Sequence, residues 1–335
     1  MEERQVKRLP GKLVPLALAL TLAAGAHAQE KIRVAGNFAT EHTSSVAMEQ
    51  VFKTELAKLS NNQLAVDIFP AMQLGGAKEN VDAVRSGALF MTWVGVAFLS
   101  RIVPELEAIS LPFLMPNRTV AFKVVDGPVG HLIDQKYAEK GFASLGWMEL
   151  GTRNITNSKR PIRAMADLKG LKIRLQPIET HLATLRALGA NPVSMDVKEL
   201  YSALQQGVVD GQENPYPIIS ANRYGEVQKY LSNSAHFFDF IAIVANRKQF
   251  ESMKPEHRKA VQGAIAAAVA YQRRIAAEAD AKALEELRKK MQYDEIPPQA
   301  HEEMRKASAG VIEQVKKRVG ADLVNRVLAE VAQAR

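Results

Sequence analysis

From Glu30 onward, apolar and polar positions alternate in a way that sorts the chain into short strands and amphipathic helices. Glu30 to Gly36 sets Ile32 and Val34 between charged neighbours and predicts a first strand. Val46, Met48, Val51 and Phe52 then gather on one side of a predicted helix over Ser44 to Leu59. Gln63 to Phe69 returns to a period of two, with Leu64, Val66 and Ile68 on one face. Gly75-Gly76 marks a turn, Lys78 to Ser86 reads as a short helix stopped by Gly87, and Leu89 to Val96 as a buried strand containing Trp93. A β-α-β-α-β order of this kind implies a mostly parallel sheet covered by helices.

The same grammar resumes near Gly151. Leu171 to Gln176 is a predicted strand, Thr180 to Leu188 a helix closed by Gly189, and Asn191 to Met195 a strand. Asp196 is placed to cap the next helix, with Glu199 completing a capping box, and Val208 to Gln212 follows Gly207 as another strand. Two α/β units predict two lobes with a cleft between them, at the carboxyl ends of strands where such sheets bind ligands. Pro255 to about Gln292 is Ala-rich and reads as helix throughout. It is either one helix bridging both lobes, about 57 Å long at 1.5 Å per residue, or two helices kinked near Gly263.

The N-terminus carries a different pattern. Arg4, Lys7, Arg8 and Lys12 precede an uncharged run from Leu13 to Ala24, and Gly25-Ala26-His27-Ala28 closes it with small residues. The run is about 12 residues, short of the roughly 20 that span a bilayer, so a secretory signal cleaved after Ala28 is expected, and with it a periplasmic product. The formal charge of +8 falls to +6 once those four basic residues, Glu2 and Glu3 are removed. Lys and Arg are spread along the chain and mixed with Glu, which argues against nucleic-acid binding. There is no cysteine, so disulfides, thiolate metal sites and cysteine nucleophiles are excluded. The seven histidines form no H-x-x-x-H pair, and no G-x-S-x-G elbow, phosphate loop or dinucleotide fingerprint occurs. No catalytic residue, metal or cofactor is expected on these grounds.

The centre of the chain is the most distinctive part. It reads Gly151-Thr-Arg-Asn-Ile-Thr-Asn-Ser-Lys-Arg-Pro-Ile162, then Asp167-Leu-Lys-Gly-Leu-Lys-Ile-Arg-Leu-Gln-Pro177, Ala187-Leu-Gly-Ala-Asn-Pro192, Leu204-Gln-Gln-Gly-Val-Val-Asp-Gly-Gln-Glu-Asn-Pro215 and Tyr224-Gly-Glu-Val-Gln-Lys-Tyr230. Gln73-Leu-Gly75 and Val84 to Val94 add to it. This ordered set resembles the DctP-type solute-binding proteins of tripartite ATP-independent periplasmic (TRAP) transporters, over essentially the whole mature chain. The resemblance implies a two-lobed α/β periplasmic-binding fold with a long bridging helix. It also implies a small organic acid as ligand (dicarboxylate, hydroxy or keto acid, sugar acid or aromatic acid), small and large membrane subunits as partners, and uptake driven by an ion gradient. The corresponding division is 1–28 as signal, 29–150 with about 239–278 as one lobe, and 151–238 with about 279–335 as the other. A ligand-presenting sensor or an exported enzyme on the same scaffold are the rival readings.

The candidate site residues follow. In Leu171 to Gln176, the apolar Leu171, Ile173 and Leu175 share one face, and Lys172, Arg174 and Gln176 the other. A guanidinium there suits a carboxylate bound by two parallel hydrogen bonds, or else a surface ion pair. The resemblance favours Arg174 as the carboxylate anchor. It marks Arg153 as a second arginine, either ligand-facing or in a hinge-strand salt bridge. It marks Asn214 as a ligand contact, where the residues alone allow a turn before Pro215. Asn37 is a ligand contact or a strand-ending cap. Trp93, Phe38, Phe237 and Phe238 line the cleft or fill the core. Two departures stand out: Gly95 occupies a position where sialic-acid binders carry glutamate, which argues against that ligand, and Leu89-Phe-Met91 replaces a common Leu-Asp-Met.

Overall fold

The computed structural model describes Met1, Glu2 and residues 29–335, so the expected signal segment and its cleavage site lie largely outside the described residues. Among the described residues nine strands form the sheet: β1 Glu30–Gly36, β2 Leu64–Phe69, β3 Met91–Gly95, β4 Phe142–Asn157, β5 Lys172–Leu175, β6 Asn191–Ser194, β7 Gly211–Asn214, β8 Tyr230–Asn246 and β9 Gln292–Glu295. Their order is β2-β1-β3-β8-β4-β7-β5-β6, with β9 added beside β8. The two flanks are parallel, β2-β1-β3 on one side and β7-β5-β6 on the other, as the two α/β units require.

The long strands β4 and β8 join the flanks. They run antiparallel from Phe142↔Asn246 to Asn157↔Tyr230. β3 pairs with β8 at Ile241–Ala245, whereas β7 pairs with β4 at Asn154–Asn157, so opposite halves of the same two strands serve the two lobes. The change-over falls at Gly151↔Asp239, next to a register shift between Glu149 and Gly151. Gly151 has φ +115, a conformation that side chains with a Cβ rarely adopt, and it lets the strand turn there.

A single helix, Pro255–Lys290, runs uninterrupted for 36 residues, about 54 Å at 1.5 Å per residue. Ala260, Ala264 and Ala268 share one apolar cluster with Met48, Phe52 and Leu56, and Ala283, Leu287 and Met291 carry that cluster on to Tyr216, Tyr224 and Leu231. The helix therefore packs along both lobes. Gly263 does not kink it. A Cβ there would lie 3.0 Å from Leu59, so the glycine serves the close approach of the helix Lys53–Leu59.

Pro298–Ala307 packs with the second lobe, where Ala300 and Met304 meet Ile155, Leu171 and Ile173. In Gly310–Val319 and Ala321–Ala334, Val311, Val315, Val324, Val327 and Val331 bury against Leu106, Val120, Val124 and Ile133. Their valines recur at helical spacing and match an apolar face of the first lobe, which a reading of sequence order does not reveal.

Candidate functional site

β5 lies between β7 and β6, with Arg174 in register with Gln212 and Val193. Ile173 and Leu175 enter the core beneath, and Arg174 takes the opposite face, as alternation predicts. The guanidinium is 1% exposed. Nε and Nη2 donate to the Met195 carbonyl at 2.9 and 2.6 Å, and among the described residues Nη1 has no protein acceptor. Burial lowers its pKa, but guanidinium stays charged at neutral pH. No described carboxylate pairs with it. Its Nη1–Nη2 edge is available to a bound anion.

Arg153, on β4, is also buried, yet its charge is matched from within. Nη2 donates to Glu213 Oε1 at 2.8 Å and to the Glu213 carbonyl at 2.7 Å, Nε donates to Glu213 Oε2, and Nη1 reaches Asp239 Oδ2 at 3.1 Å. Burial alone would lower the Arg153 pKa; the two carboxylates outweigh it and raise it. Burial likewise works to raise Glu213, but Arg153 and His236 hold that carboxyl well below its usual range. Asp239 is raised by burial in spite of Arg153 and of the Gln176 Nε2 bond at 2.8 Å. Arg153 is thus held in a buried salt bridge that links β4, β7 and β8, and it also donates to Asn214 Oδ1 at 3.1 Å while Asn214 Nδ2 donates to Gln212 Oε1 at 2.6 Å.

Arg174, Gln176, Asn214, Asn37 and Asn222 form the polar wall of a small cavity of about 20 Å³, and Phe38, Phe98, Leu150, Val197 and Ile218 form the apolar wall. The structure thereby brings together Arg174, Gln176, Asn214 and Asn37 of the expected set. Asn37 Oδ1 is buried without a partner. Phe38 reaches the cavity and stacks on His42 at 4.9 Å. Trp93, Phe237 and Phe238 do not line it. Trp93 is fully buried with its indole against Gly36, where a Cβ would come within 2.1 Å of the ring. Phe237 stacks on His181 at 3.8 Å inside the second-lobe core, and Phe238 joins the first-lobe core. Large aromatic rings bury most of their area most effectively in such cores.

Phe98, Leu150, Val197, Ile218 and Asn222 are the lining residues that sequence reasoning missed. Ile218 and Asn222 follow directly from Asn214-Pro215 on the helix Tyr216–Ala221 and its C-cap, so the motif could have been extended to them. The others carry no signal beyond hydrophobicity. Gly95 also shapes the site: a Cβ there would sit 2.9 Å from Gln176 Oε1.

Beside Val197, Asp196 caps its own helix by accepting from Lys198 N at 3.1 Å; its other oxygen lies 3.5 Å from Lys78 N at the start of Ala77–Ser86. Lys198 also pairs with Glu79 of that helix. No bond from Glu199 completes the expected capping box among the described contacts.

Two lobes joined by two long antiparallel strands, with a buried cation that no described carboxylate pairs in the cavity between them, define a binding protein for an anionic solute. The family description "Bacterial extracellular solute-binding protein, family 7" (DctP) matches residues 35–318, and the chain belongs to this family, the solute-binding proteins of TRAP transporters. The 2,3-diketo-L-gulonate-binding periplasmic protein YiaO of Escherichia coli is 32% identical over 234 residues, covering 70% of this chain and 71% of its own. The galactonate complex of the sugar acid binding protein DctPAm from Advenella mimigardefordensis superposes with TM-score 0.89 at 31% identity, covering 92% of this chain and 99% of that one. A succinate-bound TRAP solute-binding protein from Sulfurospirillum deleyianum gives TM-score 0.86 at 28% identity, covering 90% and 99%.

Proposed function

We propose that this protein binds a small organic acid in the periplasm and delivers it to TRAP membrane subunits, without transforming it. The observation that carries the reading is Arg174: a buried guanidinium facing a cavity, held in place by a carbonyl and left without a carboxylate of its own. A buried charge without a counter-ion is unfavourable, and a ligand carboxylate supplies one. Asn214, held by Arg153 and Gln212, and Gln176, held by Asp239, add amide groups beside it. The relatives named above bind acids of this kind, and their family membership supports binding rather than catalysis.

The lobes divide at Gly151 and Asp239, where the register of β4 against β8 shifts, and within the Pro255–Lys290 helix near residue 278. The two C-terminal helices Gly310–Val319 and Ala321–Ala334 are assigned to the first lobe on their packing. Ligand binding draws the lobes together to the extent that the ligand prefers the closed form. The leader ends at Ala28, and export precedes function.

Calorimetry against a library of organic acids tests the reading. Arg174→Ala should weaken the best ligand by about two to four decades, the equivalent of about 3–5 kcal/mol for a carboxylate left buried and unpaired. Wild-type affinity in a folded Arg174→Ala protein would place the anchor elsewhere.

A further inference from the structure

The charges around the cavity restrict the acid further, given the anchoring role of Arg174 proposed above. Arg174 is the one ionisable side chain among the lining residues. The positive charge of Arg153 behind it is already met by Glu213 and Asp239, so it offers none to the cavity. His42, the imidazole stacked on Phe38, is pushed down by burial to about 4 and stays neutral. The site therefore holds one cation for an incoming anion. A second carboxylate would be enclosed against amides and hydrocarbon with no counter-charge.

Amides are plentiful by contrast. Gln176, Asn214 and Asn222 offer polar atoms on one side, and Asn37, more than nine-tenths buried, presents an oxygen that no protein group satisfies. An unsatisfied buried acceptor calls for a donor. A carboxylate has none to give, but a hydroxyl does.

We propose that the ligand is a hydroxylated monocarboxylate, with its single carboxylate on Arg174 and a hydroxyl donating to Asn37, and that dicarboxylates are rejected. Matched pairs give the test. Erythronate and tartrate differ in a terminal hydroxymethyl against a terminal carboxylate, and so do galactonate and galactarate. Titrated calorimetrically at pH 7 against the full mature chain, the monocarboxylate of at least one pair should bind about a hundredfold or more tighter than its dicarboxylate partner. It should also bind at least about tenfold tighter than the unsubstituted acid of equal length, butanoate or hexanoate. A dicarboxylate that matches or exceeds its partner, or an unsubstituted acid that binds as tightly as the hydroxy acid, would overturn the inference while leaving carboxylate binding at Arg174 intact. Hydroxy-acid binding that is unchanged in Arg174→Ala would overturn the anchor itself, and the inference with it.

Discussion

Arg153 on β4 and Arg174 on β5 have left water to the same extent, at 0% and 1% exposure. Their surroundings are opposite. Arg153 is enclosed by Glu213 from β7 and Asp239 from β8, and its charge is spent holding the junction of the lobes together. Arg174 leans on a single carbonyl and keeps its charge for the cavity. Burial alone therefore does not mark a ligand anchor. What sets Arg174, the anchor proposed above, apart is burial without an internal counter-ion, in contact with a space that another molecule can fill.

The contrast can be broken most directly at Arg153. Arg153→Met should cost about 3–5 kcal/mol of stability, because it strands two buried carboxylates. The pH dependence should also reverse. In the native protein Glu213 has a lowered pKa, so its contribution is present above the unfolded value and is lost as pH falls. In the variant the unpaired carboxyls have raised pKa values, and stability should recover as pH falls and they protonate. Urea melts at two pH values check both signs; Arg174→Ala should show neither.

Glu149 sharpens the same point with an acid. It sits at the change-over of the lobes, its Oε1 3.2 Å from the half-exposed Arg118 and its Oε2 unpaired, and burial pushes its pKa up to about 7. The folded state then binds the proton more tightly than the unfolded one. Stability should decline as pH rises from about 4.5 to about 7, by about 3 kcal/mol at 1.36 kcal/mol per pKa unit. Glu149→Gln should remove that decline, visible as a flatter plot of unfolding free energy against pH. A slope unchanged in the variant would assign it to another group.

The smallest effect belongs to the rim. Asp196→Ala removes a helix cap worth about 1 kcal/mol and the contact with Lys78 N across the lobes. Both melting temperature and ligand affinity should fall modestly. A loss in melting temperature alone would mean that the cross-lobe contact contributes nothing to closure.

Much of this was legible beforehand because it is local. Period-two alternation placed Arg174 opposite Ile173 and Leu175, Asp196 announced its helix, and Glu30–Gly36 fell where predicted. The long strands β4 and β8 were not legible as continuous elements. They are buried on both faces along much of their length, and register shifts near Gly146 and Gly151 interrupt their alternation. The two meanings of Arg153 were separable only in three dimensions, since its partners lie 60 and 86 residues away along the chain. Which aromatic residues reach the cavity was open for a related reason. Alternation states which face a ring occupies, and both faces of this sheet carry core, so Trp93 and Phe237 went inward while Phe38, just past the end of β1, reached the cavity.

The packing of Trp93 on Gly36 has a practical use. Only two tryptophans occur, Trp93 and Trp147, and both are buried. The indole of Trp93 lies against the backbone of the residue that immediately precedes Asn37, and its Nε1 has no hydrogen-bond partner. A ligand bound to Asn37 as proposed above should shift the peptide resting on that ring. Intrinsic emission should therefore change on saturation without any attached dye, so that the molecule reports its own occupancy.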